Sequence, residues 1–384
     1  MANFMNQLLG LPYFPRPKLL QAVLQIYLSG LQQGVTLFAP RRQGKTLFVK
    51  NELIPAGIEH GWHVVYLDLW ARRSKPELAL VEGLEATLEQ TGGKRYKITK
   101  LTAKAKPPGV EVGAEAEPAA VAAETVLENR LAAVLDALVQ RKPSQITLLV
   151  LDEFQALANA RSLDFVAAFR TALQKHQGRL LVFYTGSSRD ALNSMFSRQK
   201  APLFESAFPL TLPDLGRAFV VDRAEFLRER TDLVVDIDAL ESVFERLGRS
   251  PEYLNAIIVN LMISGHADVD GALQAWVESQ RDAGFGAQLE KLNATDRAVL
   301  HMLALRDHPK AFTKEALTLV QSSLTLAQGN LTVEIETKIT PSRIQTSMRR
   351  LMRHELVAPT GEYGDYEIGD RGLAIWLREA ENPS

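Results

Sequence analysis

The stretch Val35-Thr-Leu-Phe-Ala-Pro-Arg-Arg-Gln-Gly-Lys-Thr-Leu-Phe48 decides how the rest of this chain is read. An apolar run over Val35–Ala39 feeds a short loop, the loop ends in Gly44-Lys45-Thr46, and a helical pattern follows. A strand, loop and helix in this order aim main-chain N–H groups and the positive end of a helix dipole at one point, which suits a phosphate. There Gly44 allows close backbone approach, Lys45 neutralises the β- and γ-phosphates, and the Thr46 hydroxyl ligates Mg²⁺. Pro40, Arg41, Arg42, Gln43 and Leu47 complete the expected cradle. The full pattern has a further glycine where Ala39 stands, and alanine does not take positive φ cheaply. The plainer alternative is an ordinary strand–turn–helix junction.

A second stretch narrows the choice. Ile146–Leu151 is an apolar run that ends directly in Asp152-Glu153. A buried strand thus delivers two acids at its C-terminal edge, where open α/β sheets bind ligands. It begins about 100 residues after the loop, a separation open to a neighbouring strand in the sheet. Asp152 is expected to hold Mg²⁺, and Glu153 to polarise the attacking water. Alone they read better as a helix cap and a solvated first-turn acid, and it is the pairing with the Lys45 loop that favours the magnesium role. A third run, Arg179–Thr185, ends in Thr185-Gly-Ser-Ser188, whose hydroxyls either sense a γ-phosphate or only close a strand.

Working outward, His63–Leu69, Leu180–Thr185 and Ala207–Leu212 are further short runs, apolar without alternation. Such runs are strands covered on both faces, hence a parallel sheet. Between them, Ala119–Arg141 places Leu127, Leu131, Val134, Leu135 and Leu138 on one helical face. Residues 1–212 therefore read as a three-layer α/β domain of βαβ units. Residues 91–118, rich in Lys, Ala, Gly and Pro, read as a protruding hairpin or a mobile insertion. From 213 to 286 the pattern is wholly helical, with candidates at 218–230, 237–247, 251–264 and 271–281.

The 384 residues carry 44 Lys plus Arg against 45 Asp plus Glu, so no global positive field draws the chain to nucleic acid. There is no cysteine, which excludes disulfides, thiolate metal sites and a cysteine nucleophile. No targeting signal or membrane span is read, and the expectation is a cytoplasmic protein. The four tryptophans, Trp62, Trp70, Trp276 and Trp376, are expected in the core.

Within 287–384, the segments Ala294–Leu305 and Thr313–Ser322 are helix-like, and Thr340-Pro341 marks a helix start. That helix turns Ile344, Met348, Leu351 and Met352 inward and carries Arg343, Gln345, Ser347, Arg349, Arg350 and Arg353 elsewhere. Five Lys or Arg and no acid fall between Lys338 and His354, although 287–384 holds 12 basic and 13 acidic residues in all. Leu356–Pro359 and Tyr363–Ile368 flank Gly361 and Gly364 as a hairpin. Three helices and a hairpin read as a winged helix, with Arg343, Gln345, Arg349, Arg350 and Arg353 placed to meet double-stranded DNA. A basic face docking a protein is the alternative.

Together, Ala39–Thr46, Leu148–Glu153, Thr185–Ser188, Ala201-Pro-Leu-Phe204 and Gly248-Arg-Ser-Pro-Glu-Tyr-Leu254 resemble the archaeal-type P-loop ATPases of the STAND class, close to the AAA+ superfamily and to replication initiators. The resemblance spans nearly the whole chain. It implies an ATPase domain, a helical lid and a C-terminal winged helix, with ATP and Mg²⁺ as cofactors. By it Lys45 and Thr46 hold phosphate and magnesium, Asp152 and Glu153 serve magnesium and water, Ser187 or Thr185 is the sensor, and Pro251 lines the nucleotide. The chain departs from the family at Ala39, at Glu205-Ser206 and at Glu252, where the last two replace arginines. Arg189, Arg198 and Arg249 are the remaining arginine candidates. The expected function is a slowly hydrolysing ATP switch acting on DNA. The alternative is ATP-dependent oligomerisation or partner docking with minimal turnover.

Overall fold

In a computed structural model the expected strands and helices assemble into a three-layer α/β domain followed by two groups of helices. The structure describes residues 10–72, 74–90, 118–141, 143–187, 189–305, 310–328, 339–354, 356–359 and 365–381. The hairpin or insertion expected over 91–118 lies outside these but for Pro118, and so do Ser188, Lys338, Gly361 and Gly364.

Helix α1 (Pro17–Leu28) precedes β1 (Gly34–Phe38). The phosphate-type loop then opens α2 (Lys45–Phe48), which continues through a π-helical turn (Val49–Leu53) into α3 (Ile54–Glu59). There follow β2 (His63–Asp68), α4 (Pro76–Gln90), α5 (Pro118–Arg141) and β3 (Thr147–Asp152). Next come α6 (Leu163–Lys175), β4 (Leu180–Gly186), α7 (Arg189–Phe196) and β5 (Phe208–Thr211).

The five strands form one parallel sheet in the order β2-β3-β4-β1-β5. The strand bearing Asp152 is therefore not the neighbour of β1; β4 lies between them. Leu148, Val150, Leu181 and Phe183 pack beneath α1 and α2 on one face. Leu149, Leu151, Val182 and Tyr184 pack against α4, α5 and α6 on the other. Burial on both faces is why these strands carry no polar alternation. Each large side chain so buried contributes about 1.5–3 kcal/mol of transfer free energy. Strand β5 closes one edge, where Pro209 is tolerated because an edge strand has an open N–H side.

The second group comprises α8 (Arg217–Thr231), α9 (Ile237–Arg246), α10 (Pro251–Ser264), α11 (Val269–Ala283) and α12 (Phe285–Glu290). The third comprises α13 (Ala294–Ala304), α14 (Lys314–Gln328), α15 (Pro341–Arg353), β6 (Val357–Pro359), β7 (Tyr366–Ile368) and α16 (Arg371–Glu381). Strands β6 and β7 pair antiparallel, and Thr340 caps α15 through Arg343 N–H. These two groups share one apolar core running from Leu215 to Leu377. At its centre the Trp376 indole donates to Val277 O at 2.9 Å. Trp62, Trp276 and Trp376 are buried as expected. Trp70 is only half-buried, and its ring lies under the Arg41 guanidinium, 5.1 Å from the centroid. Among the described residues no helix is long and apolar enough to cross a membrane.

Candidate functional site

The loop between β1 and α2 is shaped by two left-handed residues, Gly44 at φ +90 and Arg42 at φ +67. Ala39 has no positive φ, so alanine in place of the pattern's glycine imposes no backbone strain there. At Gly44 a Cβ would stand 3.5 Å from the Arg16 guanidinium, an ordinary contact, so the glycine serves conformation rather than space.

The parallel sheet then brings the predicted acids to this loop. Lys45 is buried, with Nζ 3.2 Å from Ala39 O and 3.4 Å from Glu153 Oε1. Thr46 Oγ1 donates to Asp152 Oδ2 at 2.9 Å. Because β4 separates β1 from β3, Thr185 at its end falls between them and donates to Asp152 Oδ1. Tyr66, two positions before the end of β2, donates to Asp152 Oδ2 at 2.9 Å. Burial first, then the Asp152 charge, pushes the Tyr66 phenol well above its ordinary pKa, so it remains a donor. Asp152 is 2% exposed, and the Thr46, Tyr66 and Thr185 hydroxyls that donate to it fix the direction of its carboxylate.

Glu153 follows in a left-handed conformation, φ +56, at the break between strand and turn. Its Oε2 accepts from Ser187 Oγ at 2.8 Å and from the Gln155 amide. Gln155 Nε2 also donates to Ser187 Oγ at 3.0 Å. Lys45, Thr46, Asp152, Glu153 and Ser187 thus converge at one sheet edge. Tyr66 and Gln155 escaped the sequence reading; both sit at or beside strand ends, the positional signal that marked Asp152.

Arg16 is another addition, from the segment before α1. Its Nη2 donates to Gln43 O at 2.9 Å, and its own N–H donates to Glu52 Oε1 at 2.6 Å. Glu52 lies in the π-helical turn, so this strap holds both the loop and the helix behind it. No local pattern marks Arg16, because its partners come from other elements. Arg16 Nε and Gln43 Nε2 are buried without a protein partner. Unpaired buried donors are costly, and two at one loop suit an anionic ligand. The loop therefore fits a phosphate chain, and the Thr46 hydroxyl and Asp152 carboxylate fit a magnesium ion bound largely through phosphate and water.

Pro251 opens α10, whose first turn meets the loop. Ser250 Oγ donates to Arg42 O at 3.2 Å. The Arg42 guanidinium stacks on Tyr253, 5.2 Å from the ring, and donates to its hydroxyl. It lies 3.5 Å from both Glu252 Oε1 and Asp370 Oδ2. Burial raises the Glu252 carboxyl pKa; Arg42 opposes this rise and Asp370 adds to it. Of the arginine candidates, Arg249 pairs with Glu245 at 2.6 Å on its own side of the lid, and Arg198 is exposed. The Arg189 side chain lies outside what is described.

On α15, Arg343, Gln345, Arg349 and Arg353 are exposed. Arg350 is partly exposed and already engaged: Nη2 and Nε donate to Asp296 Oδ1 at 2.8 Å and Oδ2 at 3.0 Å. Ser347 departs from the outward position, being fully buried with Oγ 2.5 Å from Asp296 Oδ1. The buried Asp296 carboxylate on α13 thus engages both side chains.

No protein-family model matches the sequence, and no curated protein matches it. Solved structures do match in fold. The Walker-type ATPase PABY2304 of Pyrococcus abyssi is 19% identical over 95% of this chain and 96% of that chain, with a TM-score of 0.58. The ORC2 protein of Aeropyrum pernix, in its ADPNP–ADP complexes, is 16% identical over 97% of this chain and 98% of that chain, with a TM-score of 0.51. The likeness runs the length of the chain, and the fold is that of a three-layer P-loop NTPase followed by a helical lid and a C-terminal winged helix.

Proposed function

We propose that this chain is an ATP-dependent switch that binds Mg-ATP at the β1–α2 loop, hydrolyses it slowly, and couples its nucleotide state to double-stranded DNA through the winged helix. The observation that carries the reading is the meeting of Lys45 with Glu153 and of Thr46 with Asp152 at the sheet edge. Loop N–H groups from Arg41 to Leu47 and the Lys45 ammonium bind the phosphates, with Pro40 shaping the entry to the loop. Thr46 and Asp152 hold Mg²⁺, which when bound offsets phosphate charge. Glu153, released from Lys45 by the incoming phosphate, accepts a proton from the attacking water, and Ser187 holds its carboxylate in place.

Adenine as the base rests on the family resemblance, and the fold shared with the nucleotide-bound Aeropyrum pernix protein agrees with it. Glu205-Ser206, standing where the resembled family often carries an arginine, supports slow turnover. The test is calorimetric titration with Mg-ATP: wild type saturates at one site, and Lys45→Ala shows no saturable binding. Equal affinity in the two proteins removes the site.

For DNA, the exposed Arg343, Gln345, Arg349 and Arg353 supply one face of α15. Partner docking with little turnover remains the second reading, favoured by the engagement of Arg350 with Asp296, which thins the basic face. Salt-dependent binding to duplex DNA decides between them.

A further inference from the structure

The proposed switch leaves open how nucleotide occupancy reaches the winged helix. Arg42 turns its side chain out of the loop, toward the lid and the winged helix. Its carbonyl accepts from Ser250, and its guanidinium meets Glu252, Tyr253 and Asp370 and lies 5.7 Å from the Phe285 ring centroid. Tyr253 OH donates onward to Asp370 Oδ1 at 3.0 Å. Asp370 Oδ1 also accepts from Gly372 N–H at 2.9 Å, at the start of α16. At Gly372 a Cβ would come within 1.8 Å of the Tyr253 hydroxyl, so glycine is what lets the tyrosine reach this helix.

The partners belong to one body. Helix α16 is tied to the lid by Trp376 and by Arg246, whose Nη2 stands 2.6 Å from Glu379 Oε2. Arg42 therefore joins the phosphate loop to the lid and winged helix together. It does so in a left-handed conformation, disfavoured for a residue with a Cβ. Among the described residues, the cluster sets one guanidinium against two carboxylates.

We infer that Arg42 is a latch: it holds the lid and winged-helix body against the empty phosphate loop, and a bound triphosphate loosens it. The inference rests on the nucleotide reading above. Phosphates in the loop attract the guanidinium and repel Glu252 and Asp370. The ion pairs and the phosphate chain thus act against each other. By linkage, whatever the phosphates do to the latch, breaking the latch does in reverse to phosphate affinity.

The test uses Asp370→Asn, which removes the charge but keeps a side chain able to cap α16, and Tyr253→Phe, which removes only the bridging hydroxyl. Both are expected to bind Mg-ATP at least about fivefold more tightly than wild type. The chain has no cysteine, so fluorophores placed through Glu59→Cys and Thr346→Cys, both at exposed positions, report the distance between the two bodies. Mg-ATP should change that distance in the otherwise wild-type chain, and both latch variants should show the changed distance before nucleotide is added. Wild-type affinity in both variants, or a nucleotide-driven change as large as in wild type, overturns the latch while leaving the binding site intact. A wild-type chain that binds no Mg-ATP overturns the site reading itself, and the latch with it.

Discussion

The sheet edge and helix α15 were both read from charged residues on a regular element, yet they differ in how position follows from sequence. At the sheet edge, Lys45, Thr46, Asp152 and Glu153 meet as their strand ends require. On α15, helical spacing separates Ile344, Met348 and Leu351 from the polar residues, but it leaves open which polar residue faces a neighbour. Asp296, from α13, draws in Ser347 and Arg350 and leaves Arg349 outside. A strand end has one exit direction, whereas a helix face two residues wide is divided by whatever packs beside it.

The sharpest break in this comparison would come from the sheet edge. Glu153→Gln should leave Mg-ATP affinity near wild type and lower turnover by about 10²-fold or more, the scale of a lost general base. Single-turnover hydrolysis with enzyme in excess measures it, and turnover that survives assigns the proton to another group. Arg350→Ala should act on folding first, because it strips a buried carboxylate of two charge-assisted bonds. A loss of about 1–3 kcal/mol by urea denaturation is expected, with DNA affinity changed little once folding is allowed for. Arg349→Ala should do the opposite. Stability should stay within about 0.5 kcal/mol, and the slope of log affinity for duplex DNA against log salt should fall by about one. If Arg350→Ala lowers that slope and Arg349→Ala does not, the division of α15 drawn here is reversed.

Much of the fold was legible because burial on both faces leaves a direct trace in composition. The runs at 35–39, 63–69, 146–151 and 180–185 became four neighbouring strands with ends shifted by a residue. Their order was not legible: about 100 residues between Lys45 and Asp152 suggested adjacency, and β4 intervenes. That insertion matters, since it is what carries Thr185 and Ser187 to the acids. The site's first contacts were legible in Gly44-Lys45-Thr46 and Asp152-Glu153. Its supports were not, because Arg16, Tyr66 and Asp370 reach it from other elements. Asp370 is hidden further because it precedes α16, an amphipathic segment after the hairpin that carries no chemical motif of its own.

The most direct measurement is a crystal structure of the chain grown with Mg-ADP. The account predicts phosphates on the amides of residues 41–47, the Lys45 ammonium moved from Ala39 O and Glu153 to the β-phosphate, and a magnesium ion beside Thr46 and Asp152. Nucleotide bound elsewhere, with Lys45 still paired to Glu153, would contradict it.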